Sequence, residues 1–160
     1  MFDRFVGGGN FGALERVIQF SSARHGVIAN NIANIETPGF RPSDLSTNDF
    51  QASLAEAIAN RQTALRSGVG IDRVTATDGG LEMSAADSFR LGANGLEATP
   101  VAMDDGILFH DGNDRNLERI LQGMTENLLM FRFAATMVRR HFNGIDDILE
   151  KGLLLQRRVG

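Results

Sequence analysis

Apolar positions in the last third of the chain recur at alternating steps of four and three: Leu117, Leu121, Met124, Leu128, Phe131, Ala135, Val138, Phe142, Ile145 and Leu149. A 3.5-residue period predicts one long helix over about 114–151 with a coiled-coil type of seam. Asp114 is placed to cap its start and Gly152 to stop it. At 1.5 Å per residue such a helix is roughly 57 Å long, more than a domain of this size buries along one side, so the seam needs partners.

The N-terminal region carries the same alternation in Leu14, Ile18, Ser21, His25, Ile28, Ile32 and Ile35, up to Thr37-Pro38-Gly39. Pro38 has no amide to donate and disfavours helix at Thr37, and Gly39 permits a positive φ, so the helix ends there at a defined angle. Ser21, His25, Asn30, Asn31 and Asn34 make this a polar-spotted helix, and Asn on a helix interface fixes register at a cost in stability. A third helix is predicted at about 47–65, with caps in Ser46-Thr47-Asn48-Asp49 and helical spacing of Phe50, Leu54, Ala57, Ile58 and Leu65. From 67 to 113, glycines interrupt every pattern, and only Val101–Met103 and Ile107–His110 read as short strands.

These patterns predict a mainly α chain. Two long terminal helices pair as an antiparallel coiled coil, and a short third helix and a largely irregular central loop complete it. The segments are an N-terminal helix and turn (1–40), a short helix (41–66), a loop (67–113), the long helix (114–152) and a tail (153–160). Charge sharpens the division. Residues 70–113 hold eight acids against two arginines, whereas 1–69 are balanced and 114–160 are slightly basic. A middle that differs from both ends suggests that the ends pair and the middle loops out.

The chain has 160 residues, 42% of them apolar and 22% charged, a composition that folds and fills one domain. No stretch approaches the roughly 18 apolar residues of a spanning helix, and Met1–Asn10 lacks the apolar core of a secretory signal, so neither membrane insertion nor export by the general route is expected. The absence of Cys excludes disulfides and thiolate catalysis. Only His25, His110 and His141 are present, far apart in sequence, and the net charge of −4 lacks the basic footprint of a nucleic-acid binder. Asp104, Asp105, His110 and Asp111 form the densest polar cluster, but without the Glu and alternating ligands of a calcium loop they read as a solvated loop. Gly7-Gly8-Gly9 precedes no phosphate-binding Lys, and Arg139-Arg140-His141 is followed by Asp146, Asp147 and Glu150, the pattern of a solvated face. No catalytic, cofactor or metal site is predicted.

Ala29-Asn30-Asn31-Ile32-Ala33-Asn34-Ile35-Glu36-Thr37-Pro38-Gly39-Phe40 resembles the N-terminal signature of the bacterial flagellar rod and hook family, with Phe40 where that family commonly has Tyr. Asp49-Phe50-Gln51-Ala52-Ser53-Leu54-Ala55-Glu56-Ala57 looks like the stretch that follows the signature in proximal-rod members. Asp111-Gly112-Asn113 with Asn116-Leu117-Glu118, Glu126-Asn127 and Phe131 resembles their C-terminal pattern. Ile120, Phe131 in place of Tyr and the longer tail beyond Leu149 are departures. The resemblance implies a structural subunit of the basal-body rod in the periplasmic space, exported by the flagellar type III apparatus without a cleaved signal. It implies as partners other rod subunits and further copies of itself, a FliE-like adaptor, and the export gate and MS ring. It places subunit contacts on Ile28, Asn30, Asn31, Ile32, Asn34, Thr37, Pro38, Gly39 and Phe40, and the helix pattern adds Leu121, Met124, Asn127, Leu128, Phe131, Ala135, Val138 and Phe142. Another rod component, a small helical export adaptor or chaperone, and a cell-wall lytic enzyme are the competing classes. The last of these needs a carboxylate pair in a cleft.

The acidic loop separates structural from enzymatic readings. Replacing Asp104, Asp105 and Asp111 together by Asn removes only solvated charge, within about half a kcal/mol, and swimming should survive. Motility lost in the Asp104/Asp105 pair, with Asp111→Asn alone still swimming, would point to a cation site instead.

Overall fold

A computed structural model describes residues 9–67, 81–92, 95–103 and 117–159. Three helices dominate: α1 (Gly9–Asn34), α2 (Thr47–Ser67) and α3 (Leu117–Val159). Between them lie four short strands, β1 (Ser43–Asp44), β2 (Phe89–Gly92), β3 (Gly95–Ala98) and β4 (Val101–Ala102). The mainly helical class with a few short strands agrees with the periodicity.

α2 begins where the polar run predicted. The Asp49 N–H donates to Ser46 Oγ at 3.2 Å, and Asp49 places an acid in the first turn, where the helix dipole favours it. α3 corrects the predicted C-terminal boundary. It passes through Gly152 and continues to Val159, because a helical Gly costs only about 1 kcal/mol against Ala and the residues after it, Leu153-Leu154-Leu155-Gln156-Arg157-Arg158, are good helix formers. Asp114, the predicted cap, lies outside the described residues.

The core is aromatic. Phe20 of α1 stacks on Phe50 of α2 with centroids 4.1 Å apart and planes 13° apart, and Phe89 of β2 stands edge-on to both at 6.2 and 5.8 Å. Leu45, Ala57, Leu81 and Met83 close the cluster. The middle of the chain therefore does not simply loop out: Leu81, Met83 and Phe89 are buried, and β2 and β3 form an antiparallel hairpin in the register Phe89↔Ala98, Leu91↔Leu96 and Gly92↔Gly95. Alternating Phe89 and Leu91 supply its apolar face, and Arg90 pairs with Glu97 across the exposed one. β4 confirms the strand expected near Val101 and pairs with β1, joined by a bond from the Met103 N–H to the Pro42 carbonyl. The second expected strand, Ile107–His110, lies outside the described residues.

α1 and α3 pack side by side. Phe11 meets His141 and Phe142, Ser21 meets Asn127, and Arg24 lies beside Gly123, so numbers rise on one helix as they fall on the other. The two stripes do not meet as predicted. On α3 the buried residues are Ile120, Asn127 and Ala134, each one position before a predicted seam residue. One position is about 100° of helix, which carries Leu121 and Leu128 off the contact and leaves them exposed; Phe131, four residues after Asn127, is exposed as well. On α1, His25 is exposed, while Arg24 and Asn31 are buried beside Ile28.

Phe20→Ala should cost about 3–5 kcal/mol, since it removes a fully buried ring from three elements at once. Urea unfolding measures this directly. Leu65→Ala, at a position half exposed on α2, should stay within about half a kcal/mol. Equal small effects would show that the three rings do not hold the fold.

Candidate assembly surface

α1 ends in a locally closed turn. Asn34 Nδ2 donates to the Asn30 carbonyl at 2.9 Å, the Thr37 N–H to the Asn34 carbonyl at 2.9 Å, and the Phe40 N–H to the Thr37 carbonyl at 3.1 Å. With Pro38 second, Gly39 third at φ 76° and a bond from fourth to first, Thr37–Phe40 is a type II turn. A side chain at Gly39 would meet no atom, so its backbone angle alone demands glycine. Glu36, Thr37, Pro38 and Gly39 are all exposed, a small knuckle projecting from the body.

Two side chains of α1 hold the strand that returns from this knuckle. Asn31 pairs with Ser43 as another strand would: its Nδ2 donates to the Ser43 carbonyl at 2.6 Å, and the Ser43 N–H donates to its Oδ1 at 3.1 Å. One residue on, Asp44 accepts from Arg24 Nε at 2.8 Å and Nη2 at 2.5 Å, and also from the Leu45 N–H at 2.8 Å. The Asp44 hydrogen bond holds the Arg24 guanidinium more firmly protonated than usual, outweighing the opposing effect of burial, with a further electrostatic contribution from Glu126. This pair walls an open polar recess that also touches Ser46, Arg119, Gln122 and Glu126.

The predicted contact residues divide accordingly. Ile28, Asn31 and Asn127 are 3%, 1% and 1% exposed and face the chain's own interior, so their side chains are not available to a neighbour. Their polar groups serve internal backbone: Asn31 binds Ser43, and Asn127 Nδ2 donates to the Ser21 carbonyl at 2.8 Å. Asn30, Thr37, Pro38 and Gly39 are exposed at the knuckle, with Ile32, Asn34 and Phe40 half-buried beside them. On α3, Leu121, Leu128, Phe131 and Phe142 are exposed, and Met124, Ala135 and Val138 half-buried. They form one continuous apolar stripe flanking the α1 contact. Leu129 and Phe133, both more than 60% exposed, were missed. Their spacing of four was a usable sign of a further apolar strip on another side of the helix.

Among the described residues no group of three His, Asp or Glu is placed to hold a metal, and no helix is long and apolar enough to cross a membrane. Residues 21–41, which span Arg24, Asn31 and the turn, match the family model described as flagella basal body rod protein. Over 138 residues, 84% of this chain and 91% of the relative, the chain is 27% identical to flagellar basal body rod protein FlgB of Borrelia hermsii.

Asp44→Ala should destabilise the chain by about 2–4 kcal/mol, because it leaves a largely buried guanidinium unpaired. Arg24 binds its proton more tightly when folded, so its contribution is fully present at neutral pH and is lost only as pH rises through the alkaline range of arginine. Denaturant unfolding at pH 6 and 8 should therefore show the same loss. A loss confined to one of the two would assign it to another group.

Proposed function

Since the chain belongs to the flagellar basal body rod protein family, which places it in the flagellum's basal body, we propose that it is a structural subunit of the proximal rod that polymerises through its terminal helices. The observation that carries this is the apolar stripe of α3. Leu121 is about half exposed and Leu128 and Phe131 nearly 40%, in a helix that already packs on α1 through Asn127 and, further along, through Phe142, itself still half exposed. A lone chain leaves that surface wet, and burying it at roughly 25 cal/mol per Å² is the largest favourable step open to it. In this reading α1 and α3 form the antiparallel coiled-coil unit of each subunit, and the exposed stripe joins it to the next.

α3 also extends from Asn143 to Val159 beyond the point where Phe11 meets it, about 25 Å at 1.5 Å per residue. In this reading that stretch of helix contacts subunits above or below. The knuckle at Glu36–Gly39 has the rigid turn and exposed groups of a second contact, with Asn30 beside it. Other rod subunits and further copies of the chain are the partners this reading requires, with a FliE-like adaptor, the export gate and the MS ring at the rod's base. Export by the flagellar type III apparatus brings the chain there. The same reading leaves no catalytic role: the Arg24–Asp44 pair is spent on the fold, and the family is a structural one.

Leu128→Asp and Phe131→Asp test it cleanly, because both positions are exposed in the single chain and a carboxylate there costs the fold little. The variants should match the parent in urea unfolding and reach the periplasm at parental level, yet fail to swim, since burying an unpaired carboxylate between subunits costs several kcal/mol. Normal motility in both would remove this stripe from the interface.

A further inference from the structure

We propose that Asn127, seated against Ser21, sets the axial register between α3 and α1. The contact is polar, buried and incompletely satisfied. Asn127 is 1% exposed and Ser21 1% exposed, and Asn127 Nδ2 donates to the Ser21 carbonyl at 2.8 Å. The Asn127 Oδ1 and Ser21 Oγ have no hydrogen-bond partner among the described residues. An apolar residue at 127 would avoid that penalty, so the amide is a cost in stability that position alone can justify.

Position is what the rest of the seam leaves open. The contact face of α3 repeats every seven residues as Ile120, Asn127, Ala134 and His141, three of these four being carbon-lined or aromatic. Sliding α3 by one heptad, roughly 10.5 Å, replaces one such residue by another. At Phe11 a slide replaces the rings of His141 and Phe142 by Ala134 and Ala135 in one direction or Ile148 and Leu149 in the other, so apolar residues follow the aromatic pair in either shifted register. Ser21 does not tolerate it. Seven residues away on α1 stand Leu14 and Ile28, and a slide sets Asn127 against one of them. A serine leaves the helix carbonyl open to the amide; a leucine or isoleucine covers it, stranding both the donor and the acceptor of Asn127 in an apolar seam. The same slide in one direction brings Met130 in place of Gly123 beside the Arg24 guanidinium, where a Cβ makes ordinary van der Waals contact with Nη2 at 3.5 Å, so the glycine does not oppose the slide. Register thus rests on the Asn127 amide.

This role for Asn127 holds whether or not the chain builds a rod, and its test uses the isolated full chain. The sequence has no Cys, so introduced pairs report without background. Phe11→Cys with Phe142→Cys marks the observed register, and Phe11→Cys with Ala135→Cys or with Leu149→Cys marks the two one-heptad slides. A bis-maleimide shorter than the rise of a heptad distinguishes them. With Asn127 present, only the first pair should cross-link. With Asn127→Leu, one of the shifted pairs should rise at least tenfold while thermal stability stays equal or higher. Asn127→Ala, which adds no bulk, provides the same reading if the leucine disturbs packing. Shifted pairs that stay unlinked in both variants would overturn the proposal, as would a parent chain in which the Phe11/Phe142 pair fails to link.

Discussion

Everything in this fold leans on α1 having two working sides, and the constraint is visible in two consecutive residues. Phe20 points into the aromatic cluster with Phe50 and Phe89, and Ser21, about 100° further round, lies under α3. In a chain with no Trp or Tyr, these phenylalanines supply the large buried surface that ties α1, α2 and β2 together. Because Phe20 anchors one side of α1, the other is left in a fixed orientation for α3. The strand after the knuckle is then sewn to the same helix by Arg24 and Asn31, so the turn cannot swing independently of the core.

α3 solves the complementary problem by sorting its residues by size. Toward α1 it presents Gly123, Asn127 and Ala134, small or polar, with Ile120 the large aliphatic among them. Large apolar side chains sit one position on from Ile120 and Asn127, at Leu121 and Leu128, and Phe131 is exposed with them. Reversing that arrangement would bury more apolar area within one chain and leave less for a neighbour. The division lowers the stability of the lone chain and, in the proposed assembly, raises the gain when a neighbour covers that flank.

How far the sequence discloses this varies with the physics of each part. The helices were legible because a period of 3.5 sustained over many turns fits a helix and neither a strand nor an irregular loop, and the knuckle because Pro38 and Gly39 restrict the backbone themselves. Which flank of α3 meets α1 was not legible. A seam of Leu and Phe is the strongest stripe on the helix, but intrachain packing selected the weaker stripe of Ile120, Asn127 and Ala134 beside it, a choice made by the partner's surface and not by the helix. The β2–β3 hairpin was missed because Gly92 and Gly95 were read as interruptions, whereas they are paired strand residues. Asn31 was placed among the subunit contacts, but its partner is Ser43 of the same chain, twelve residues on.

The family match over residues 21–41 takes a different meaning once these partners are known. Its polar residues fall into two groups. Arg24 and Asn31 look inward and fasten the returning strand, while Asn30 and the residues of the turn look outward. The inward group makes the outward group rigid: with Ser43 and Asp44 tied to α1, both ends of the turn are held, and Thr37–Phe40 is left the single shape that Pro38 and Gly39 allow. Rigidity of this kind reduces the ordering entropy a contact must overcome when a neighbour arrives. A single stretch of sequence can therefore serve the interior and the surface together, the buried amide and guanidinium shaping the knuckle that a neighbouring subunit would meet.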